Sequence, residues 1–370
     1  MGCVFLLKTW IPGETPEKEE LKQQLDAARK KLYDLQMKIK EHKLPVLVLF
    51  EGWSAAGKGS MIGKVIKNID PRFFKVATMS APSEEELRRP FLYRYMCQIP
   101  EQGKFTFLDS GWMEQTTQEV LRKELTGEDY EKRIESIRRF ERQLTDNGYL
   151  VLKFFMQIDK EEQKFRMDKL CSSQDTRWRV SEFDKWQQEH YRKCEKVYDR
   201  YLKDTNASTS PWYIIDARDK KWAELQVMDT LVSSIEVALQ NQSHSVPILQ
   251  NIFPLVKMPK LADVELAGKT IDDEEYDKEL KKLQSKLSEL HNRLYRKRIP
   301  VIITYEGWDA AGKGGNIKRI TGALDPRGYE VHPIASPEPH EKAAIICGVS
   351  GQGFPRMVTL PSLTGRGTEE

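Results

Sequence analysis

A chain of 370 residues, 39% hydrophobic and 31% charged, suits one large soluble domain or two ordinary ones. Its formal net charge of only +3 argues against a dedicated nucleic-acid coat. Five scattered cysteines (Cys3, Cys97, Cys171, Cys194, Cys347) form no CxxC pair, which argues against a structural zinc or a disulfide framework and for a reducing cytoplasm. No apolar run is long enough to span a membrane.

The opening "MGCVFLLKTW" has no charged n-region and no cleavage site, and Leu6 stands where a myristoylation signal wants Ser or Thr. It reads as a loose terminus, with a strand or an interface as alternatives. A charged, heptad-like segment follows. Leu21, Leu25, Leu32, Leu35 and Ile39 fall near helical spacing with Lys and Glu between. An amphipathic helix packed on its own domain is the reading adopted; a dimeric coiled coil is the alternative, for which the pattern lasts too few heptads.

After Pro45, "VLVLFEG" reads as a buried parallel strand ending at glycine. A glycine-rich turn and a helix, "KGSMIGKVIKNI", come next. Then follow strand "FKVATMS", helix "SEEELRRPFLYRYMCQI", strand and turn "KFTFLDSGW", helices to about Asn147, strand "YLVLKFFMQI", more helix, and strand "PWYIIDA". Strands alternating with helices predict an α/β fold, a parallel sheet sandwiched by helices. Residues 241–270 break the pattern and read as a linker between a first domain, 15–240, and a second, 271–343.

The chain repeats itself. Lys58 and Lys313 are 255 positions apart, and the same offset pairs Pro45 with Pro300, Gly52 with Gly307, Asp70 with Asp325 and Pro82 with Pro337. A register held without a gap indicates a duplicated domain. The repeated phrase is "EGWSAAGKGS" first and "EGWDAAGKGG" second. The spacing Gly52-x4-Gly57-Lys58-Gly59-Ser60 is a P-loop variant: backbone N–H groups close around phosphate oxygens and the following helix aims its positive end at them. Gly307, Gly312, Lys313 and Gly314 repeat it. Where the usual loop has Ser or Thr after the lysine to hold magnesium, Gly59 and Gly314 stand. A carboxylate inside the loop is the substitute, and Asp309 is placed for it, whereas Ser54 is a far weaker ligand for a hard cation. Asp109, ending "KFTFLD", is the second acidic candidate for metal binding or general-base work, against a turn-capping role. "QDTRWRVSEFDKW" reads either as a lid over about 171–186 whose Arg177 and Arg179 stabilise transferring phosphate, or as a solvated loop.

"FEGWSAAGKG", "YEGWDAAGKGGNIKRI", "LDPRGYEV", "FLDSGW", "TRWRVSEFDKW" and "PWYIIDARDKKWA" together resemble the polyphosphate kinase 2 family, over about residues 15–343. The resemblance is to its tandem class, two fused P-loop kinase-like domains. It implies phosphoryl transfer from inorganic polyphosphate to AMP, giving ADP, with Mg2+. It matches Lys58 and Lys313 to the phosphate-binding lysine, Asp309 to the loop carboxylate, Asp109 to the strand-end carboxylate, and Arg177 and Arg179 to the lid. The first copy departs from the family at Ser54 and at Ser110, where the family has Asp and Arg. It therefore looks like a degenerate partner and the second copy like the active one, incomplete here, so that the activity is expected to be impaired in this chain. Two other functions stay open: a non-catalytic polyphosphate- or nucleotide-binding module, and an ATP-dependent nucleoside monophosphate kinase. Whether the protein is a homo-oligomer is open as well; no membrane and no nucleic-acid partner is expected.

Past residue 343 the second copy loses the pattern of the first. Read one base out of frame, Cys347 must become Leu or Met, Gly348 Trp or Arg, and Val358 Gly, and Thr364 can become Asp; the shifted phrase matches the offset partners of Leu92, Arg94, Pro100, Gly103, Asp109 and Trp112. The expectation is an out-of-frame tail over 344–370 that lacks order, with a divergent native tail as the alternative.

Overall fold

The computed structural model describes residues 15–79, 81–241, 264–265, 267–334 and 360–365, together with residues 7, 10 and 13. They fall into two compact units: one holds the described residues before 83 and those of 92–241, the other 83–91, 264–334 and 360–365.

The first unit opens with α1 (Lys18–Glu41), which buries Leu21, Leu25, Ala28, Leu32, Leu35 and Ile39 along one face. Next come β1 (Val46–Gly52), α2 (Lys58–Ile66), a 3-10 turn at Pro71–Phe73 and β2 (Phe74–Thr78). The single helix expected from "SEEELRRPFLYRYMCQI" is instead two isolated turns, α3 (Glu84–Leu87), which belongs to the second unit, and α4 (Tyr93–Met96). Pro90 is the reason: it lacks an N–H and disfavours helical backbone at the residue before it.

The unit continues with β3 (Phe105–Asp109), α5 (Trp112–Leu121), α6 (Gly127–Asp146) and β4 (Leu150–Gln157). Then follow α7 (Lys160–Ser172), a 3-10 turn at Arg177–Arg179, α8 (Glu182–Glu189), α9 (Tyr191–Thr205), β5 (Trp212–Asp216) and α10 (Lys220–Asn241). The five strands are parallel in the order β2-β3-β1-β4-β5. The central strands β1 and β4 are buried almost throughout, which is why they read as unbroken apolar runs. The stripe of α1 packs against α10, and Glu224 of α10 ties in both Arg29 (2.5 Å) and Lys64 (2.9 Å). The N-terminal segment expected to be loose includes Leu7, which is buried and donates its N–H to Asp199; its other residues, Trp10 excepted, lie outside the described residues.

The second unit contains α11 (Asp273–Lys297), β6 (Ile303–Tyr305), α12 (Lys313–Thr321), a 3-10 turn at Pro326–Gly328, β7 (Tyr329–Ile334) and β8 (Leu360–Gly365). Its three parallel strands run in the order β6-β8-β7. Ile303 lies opposite Ser362 and Tyr329 opposite Leu360; 255 positions earlier, Val48 lies opposite Phe107 and Phe74 opposite Phe105.

β8 corrects the expectation of an unordered tail for residues 360–365. Backbone pairing sets that strand, for β6 and β7 each leave a ladder edge toward the space between them and the strand fills both. The other residues of 344–370 lie outside the described residues, as does most of the expected linker. No helix among the described residues is long and apolar enough to cross a membrane.

Candidate active site

The first loop leaves the sheet at Gly52, whose φ is +125° and whose added Cβ would lie 2.5 Å from the Met156 carbonyl oxygen of β4. Only glycine lets β1 turn away this close to its neighbour. Trp53 anchors the turn: it is fully buried, stacks on Tyr191 at 3.9 Å, and donates its Nε1 to Gln157 at 2.7 Å. Ala55 (φ +62°) and Gly57 (φ +94°) complete the left-handed bends that start α2 at Lys58. Arg166 of α7 braces the loop, donating to the carbonyls of Ala56 (3.1 Å), Ala217 (2.6 Å) and Arg218 (2.9 Å).

Carboxylates surround Lys58. Its Nζ lies 3.5 Å from Glu114 and 3.5 Å from the Gly52 carbonyl. Burial alone would lower its pKa, but Glu114, then Asp109, Glu51 and Asp184, hold it above the ordinary lysine value. Glu51 is fully buried at the end of β1 and accepts N–H bonds from Gly111 (2.8 Å) and Met113 (3.1 Å). Burial, with Glu114 adding to it, pushes its carboxyl up to about 8 against the pull of Lys58 and the two N–H groups. Asp109 is also shifted upward, by burial, against the pull of Lys58 and with Glu114 adding to the rise. An added Cβ at Gly59 would stand 3.0 Å from the Asp109 carboxylate. Ser60 is exposed in the first turn of α2.

The segment expected to form either a lid or a solvated loop is fastened to the first loop through α8. Ser54 donates its hydroxyl to Asp184 of α8 at 2.5 Å, and its N–H to Gln187 at 3.0 Å. Gln163 reaches the Ser54 carbonyl at 3.3 Å and Gln187 at 2.7 Å, and Gln187 donates to Tyr198 at 2.6 Å. Asp184 also closes a capping box with Ser181 that starts α8. Arg177 and Arg179 sit exposed on their 3-10 turn, Arg179 over the ring of Trp178. What remains beside Lys58 is a small cleft bounded by Glu51, Glu114, Phe183 and Gln187. Lys58 thus pairs with Glu114 inside this cleft, with Asp109 and Asp184 adding negative charge and Ser54 held by α8.

The second loop has the same backbone and a different setting. Gly307 (φ +151°), Ala310 (+57°) and Gly312 (+82°) repeat the bends. Lys313 starts α12 and turns its Nζ onto the carbonyls of its own loop, Gly307 at 2.7 Å and Trp308 at 2.8 Å. Asp309 and Glu306 are exposed, and no atom lies within 4 Å of an added Cβ at Gly314. At the register of Asp109 the second unit has Thr364, opposite Tyr305 as Asp109 is opposite Phe50. Among the described residues no group of three His, Cys, Asp or Glu side chains is arranged to hold a metal ion.

The structure therefore brings together Gly52, Gly57, Lys58, Gly59 and Asp109 in one unit, and Gly307, Asp309, Gly312, Lys313 and Gly314 in the other. Sequence reasoning missed Glu51, Glu114, Asp184, Gln163, Gln187 and Arg166. A carboxylate inside the buried run "VLVLFEG" was a usable signal for Glu51, and the Ser181-x-x-Asp184 spacing one for the start of α8; nothing local marks the others.

The family model described as polyphosphate kinase 2 matches residues 15–243 and 270–346. The chain belongs to the polyphosphate kinase 2 family. Among its relatives, the polyphosphate:AMP phosphotransferase of Pseudomonas aeruginosa is 30% identical over 338 residues, covering 90% of this chain and 67% of that one. The polyphosphate:AMP phosphotransferase of Pseudomonas syringae pv. tomato is 31% identical over 323 residues, covering 86% and 65%. This chain thus spans about two thirds of the length of both. A solved Pseudomonas aeruginosa structure assigned to polyphosphate kinase 2 superposes with a TM-score of 0.78 at 27% identity, covering 96% of this chain and 70% of that one. The polyphosphate kinase 2 of Arthrobacter aurescens, at 23% identity and a TM-score of 0.61 over 69% of this chain and 91% of that one, shares the fold.

Proposed function

We propose that this member of the family transfers a phosphoryl group from polyphosphate to AMP, giving ADP, and that its second loop handles the phosphate. The observation that carries this reading is the contrast between the two loops. Lys58 is paired with Glu114 and Ser54 is bonded to α8, whereas among the described residues Lys313 contacts only carbonyls of its own loop and Asp309 faces solvent. The names of the Pseudomonas relatives support AMP as acceptor and polyphosphate as donor. In the reaction the bridging P–O bond of the terminal phosphoryl breaks as a bond forms to an oxygen of the AMP phosphate. Lys313 and the N-terminal amides of α12 would hold the donor's oxygens in line.

Mg2+ fits the second loop better than the first. It binds through one or two carboxylates plus phosphate oxygens and keeps several waters, so it needs no three-carboxylate cage. Asp309 offers such a group in the open, and Asp109 offers a half-buried one in the first unit. The ion supplies neutralisation of phosphate charge. Arg177 and Arg179 are proposed to bind anionic phosphate from the exposed turn they share. The cytoplasm, where AMP is available, is the proposed location.

A coupled assay with the purified chain, Mg2+, AMP and either polyphosphate or ATP tests the reading. ADP formed from polyphosphate supports it. Strict dependence on ATP replaces it with a nucleoside monophosphate kinase, and tight polyphosphate binding without turnover replaces it with a binding module. Lys313→Ala or Asp309→Asn should lower kcat/KM about 100-fold or more, as losing a transition-state contact does. Lys58→Ala should change it by no more than a few-fold; the reverse ranking would move the active centre to the first unit.

A further inference from the structure

The apolar stripe of α1 is buried against its own unit, and the opposite face of the helix is open. Asp26, Ala27, Lys30, Asp34 and Lys38 are exposed there. So are two large apolar side chains one turn apart, Tyr33 at 63% and Met37 at 49%. Lys30, Asp34 and Lys38 make no ion pair and no side-chain hydrogen bond among the described residues. Beside this face α1 and α10 leave an open groove of about 550 Å³, lined by Gln24, Ala27 and Lys31 from one helix and by Asp229, Ser233 and Glu236 from the other. Lys31 lies 3.9 Å from Glu236. The Asp229 carboxylate accepts no hydrogen bond and forms no ion pair among the described residues.

These unpaired charges alternate in sign along the helix, which suits a partner helix running the other way. Consider an antiparallel pair related by a two-fold axis at the level of Leu32. Asp34 of each copy then stands beside Lys30 of the other, each two residues from the axis. Met37 of each falls level with the small Ala27 of the other, and the two Tyr33 rings meet across the axis. α1 leads into the start of β1 and α10 leaves the end of β5, so the two helices run in the same direction along the parallel sheet. Asp229 precedes Glu236 by two turns and so lies about level with Gln24, as Glu236 does with Lys31. Lys38 of the other copy falls level with Asp26, about 3 Å further along, within reach of the Asp229 carboxylate across the groove. One register thus supplies a partner to each of the four unpaired charges.

We propose that the outward face of α1 is an interface with a second copy of this chain, formed by antiparallel pairing of α1 with α1. The contact is isologous, so it closes as a dimer. Tyr33 and Met37 supply its apolar centre, since exposed ion pairs add little affinity of their own. The charges set direction and register: a parallel pair would put Lys30 against Lys30 and Asp34 against Asp34. The buried leucine stripe stays on its own unit, which distinguishes this pairing from a coiled coil along that stripe. A helix of 24 residues is ~36 Å long, so the contact is small and the dimer reversible.

Sedimentation of the full 370-residue chain from about 1 to 300 μM tests the proposal. A monomer–dimer equilibrium that follows concentration is expected. Asp34→Lys sets an ammonium against Lys30 and should weaken the dimer about tenfold or more. Asp34→Lys combined with Lys30→Asp restores opposite charges in the same register and should recover most of the parent's affinity. Amide exchange over β1, unchanged in both variants, shows that the fold is kept. A chain that stays monomeric throughout overturns the proposal. So does a dimer that Asp34→Lys leaves as tight as the parent, which places the contact on another surface. A double variant no tighter than the single one overturns it too, because the Lys30–Asp34 register would then be absent.

Discussion

Replacing Gly52 with alanine should be far more damaging than replacing Gly307, although the two occupy the same place in the same repeated phrase. At Gly52 two penalties combine. Its φ of +125° belongs to a region that L residues scarcely enter, worth about 1–3 kcal/mol. The new Cβ would also lie 2.5 Å from the Met156 carbonyl oxygen and 2.7 Å from its nitrogen, both backbone atoms of β4. Relieving that overlap means parting two central strands, which costs about another 1–3 kcal/mol. At Gly307 the φ of +151° carries the conformational term alone, for the nearest atom to an added Cβ is the Ala311 methyl at 3.9 Å. The expected loss is therefore about 2–6 kcal/mol for Gly52→Ala and about 1–3 kcal/mol for Gly307→Ala. Because the two units need not unfold together, amide exchange read separately over β1 with β4 and over β6 with α12 is the right assay. Gly52→Ala should speed exchange across β1 and β4 by about tenfold to a hundredfold more than Gly307→Ala speeds it across β6. Equal effects, or a larger one at Gly307, would refute the claim that contact with β4 makes glycine necessary at the first loop.

Glu51→Gln should flatten the pH dependence of first-unit stability. The carboxyl lies near 8 in the fold against an ordinary value of 4.5, so between those values the folded state holds a proton that the unfolded chain has released. Stability contributed by this group is therefore present below about 4.5 and is lost as pH rises toward about 8. Thermal melts from pH 5 to 8 should show that decline in the parent and a shallower one in the variant; identical slopes would mean Glu51 is ionised in the fold. Ser54→Asp, which restores the loop carboxylate, should unlatch the lid by removing a bond to a charged acceptor and setting carboxylate against Asp184. Exchange over residues 181–190 should rise about tenfold or more, a bond to a charged group being worth ~1.5–3 kcal/mol; an unmoved lid counts against the latch. Glu141→Gln should cost about 3–5 kcal/mol in urea unfolding, because it strips the charged partner from the fully buried Lys153, now 2.6 Å away. Glu141→Leu with Lys153→Met should recover much of that loss, and a double variant as unstable as the single one would place the cost in the packing.

Local signals carried much of the architecture. The apolar runs of β1 and β4, the helical spacing of the α1 leucines and the glycines of both loops each depend on residues a few positions apart, so they are legible in one dimension. Pro90 shows the limit even there: apolar content suggested one helix across it, and the missing N–H decided for two turns.

The amino-acid sequence by itself determined that two phosphate-type loops exist, each between a strand and a helix, and that only the second contains an aspartate. Tertiary structure decided what surrounds each lysine. Glu51 and Glu114 meet at Lys58 because β1 lies beside β3, whose end leads into α5; Asp184 reaches Ser54 across 130 residues of chain. Charges brought together in this way set one another's pKa values and the accessibility of the loop. Those couplings fall off with distance in space, a quantity that spacing along the chain does not encode.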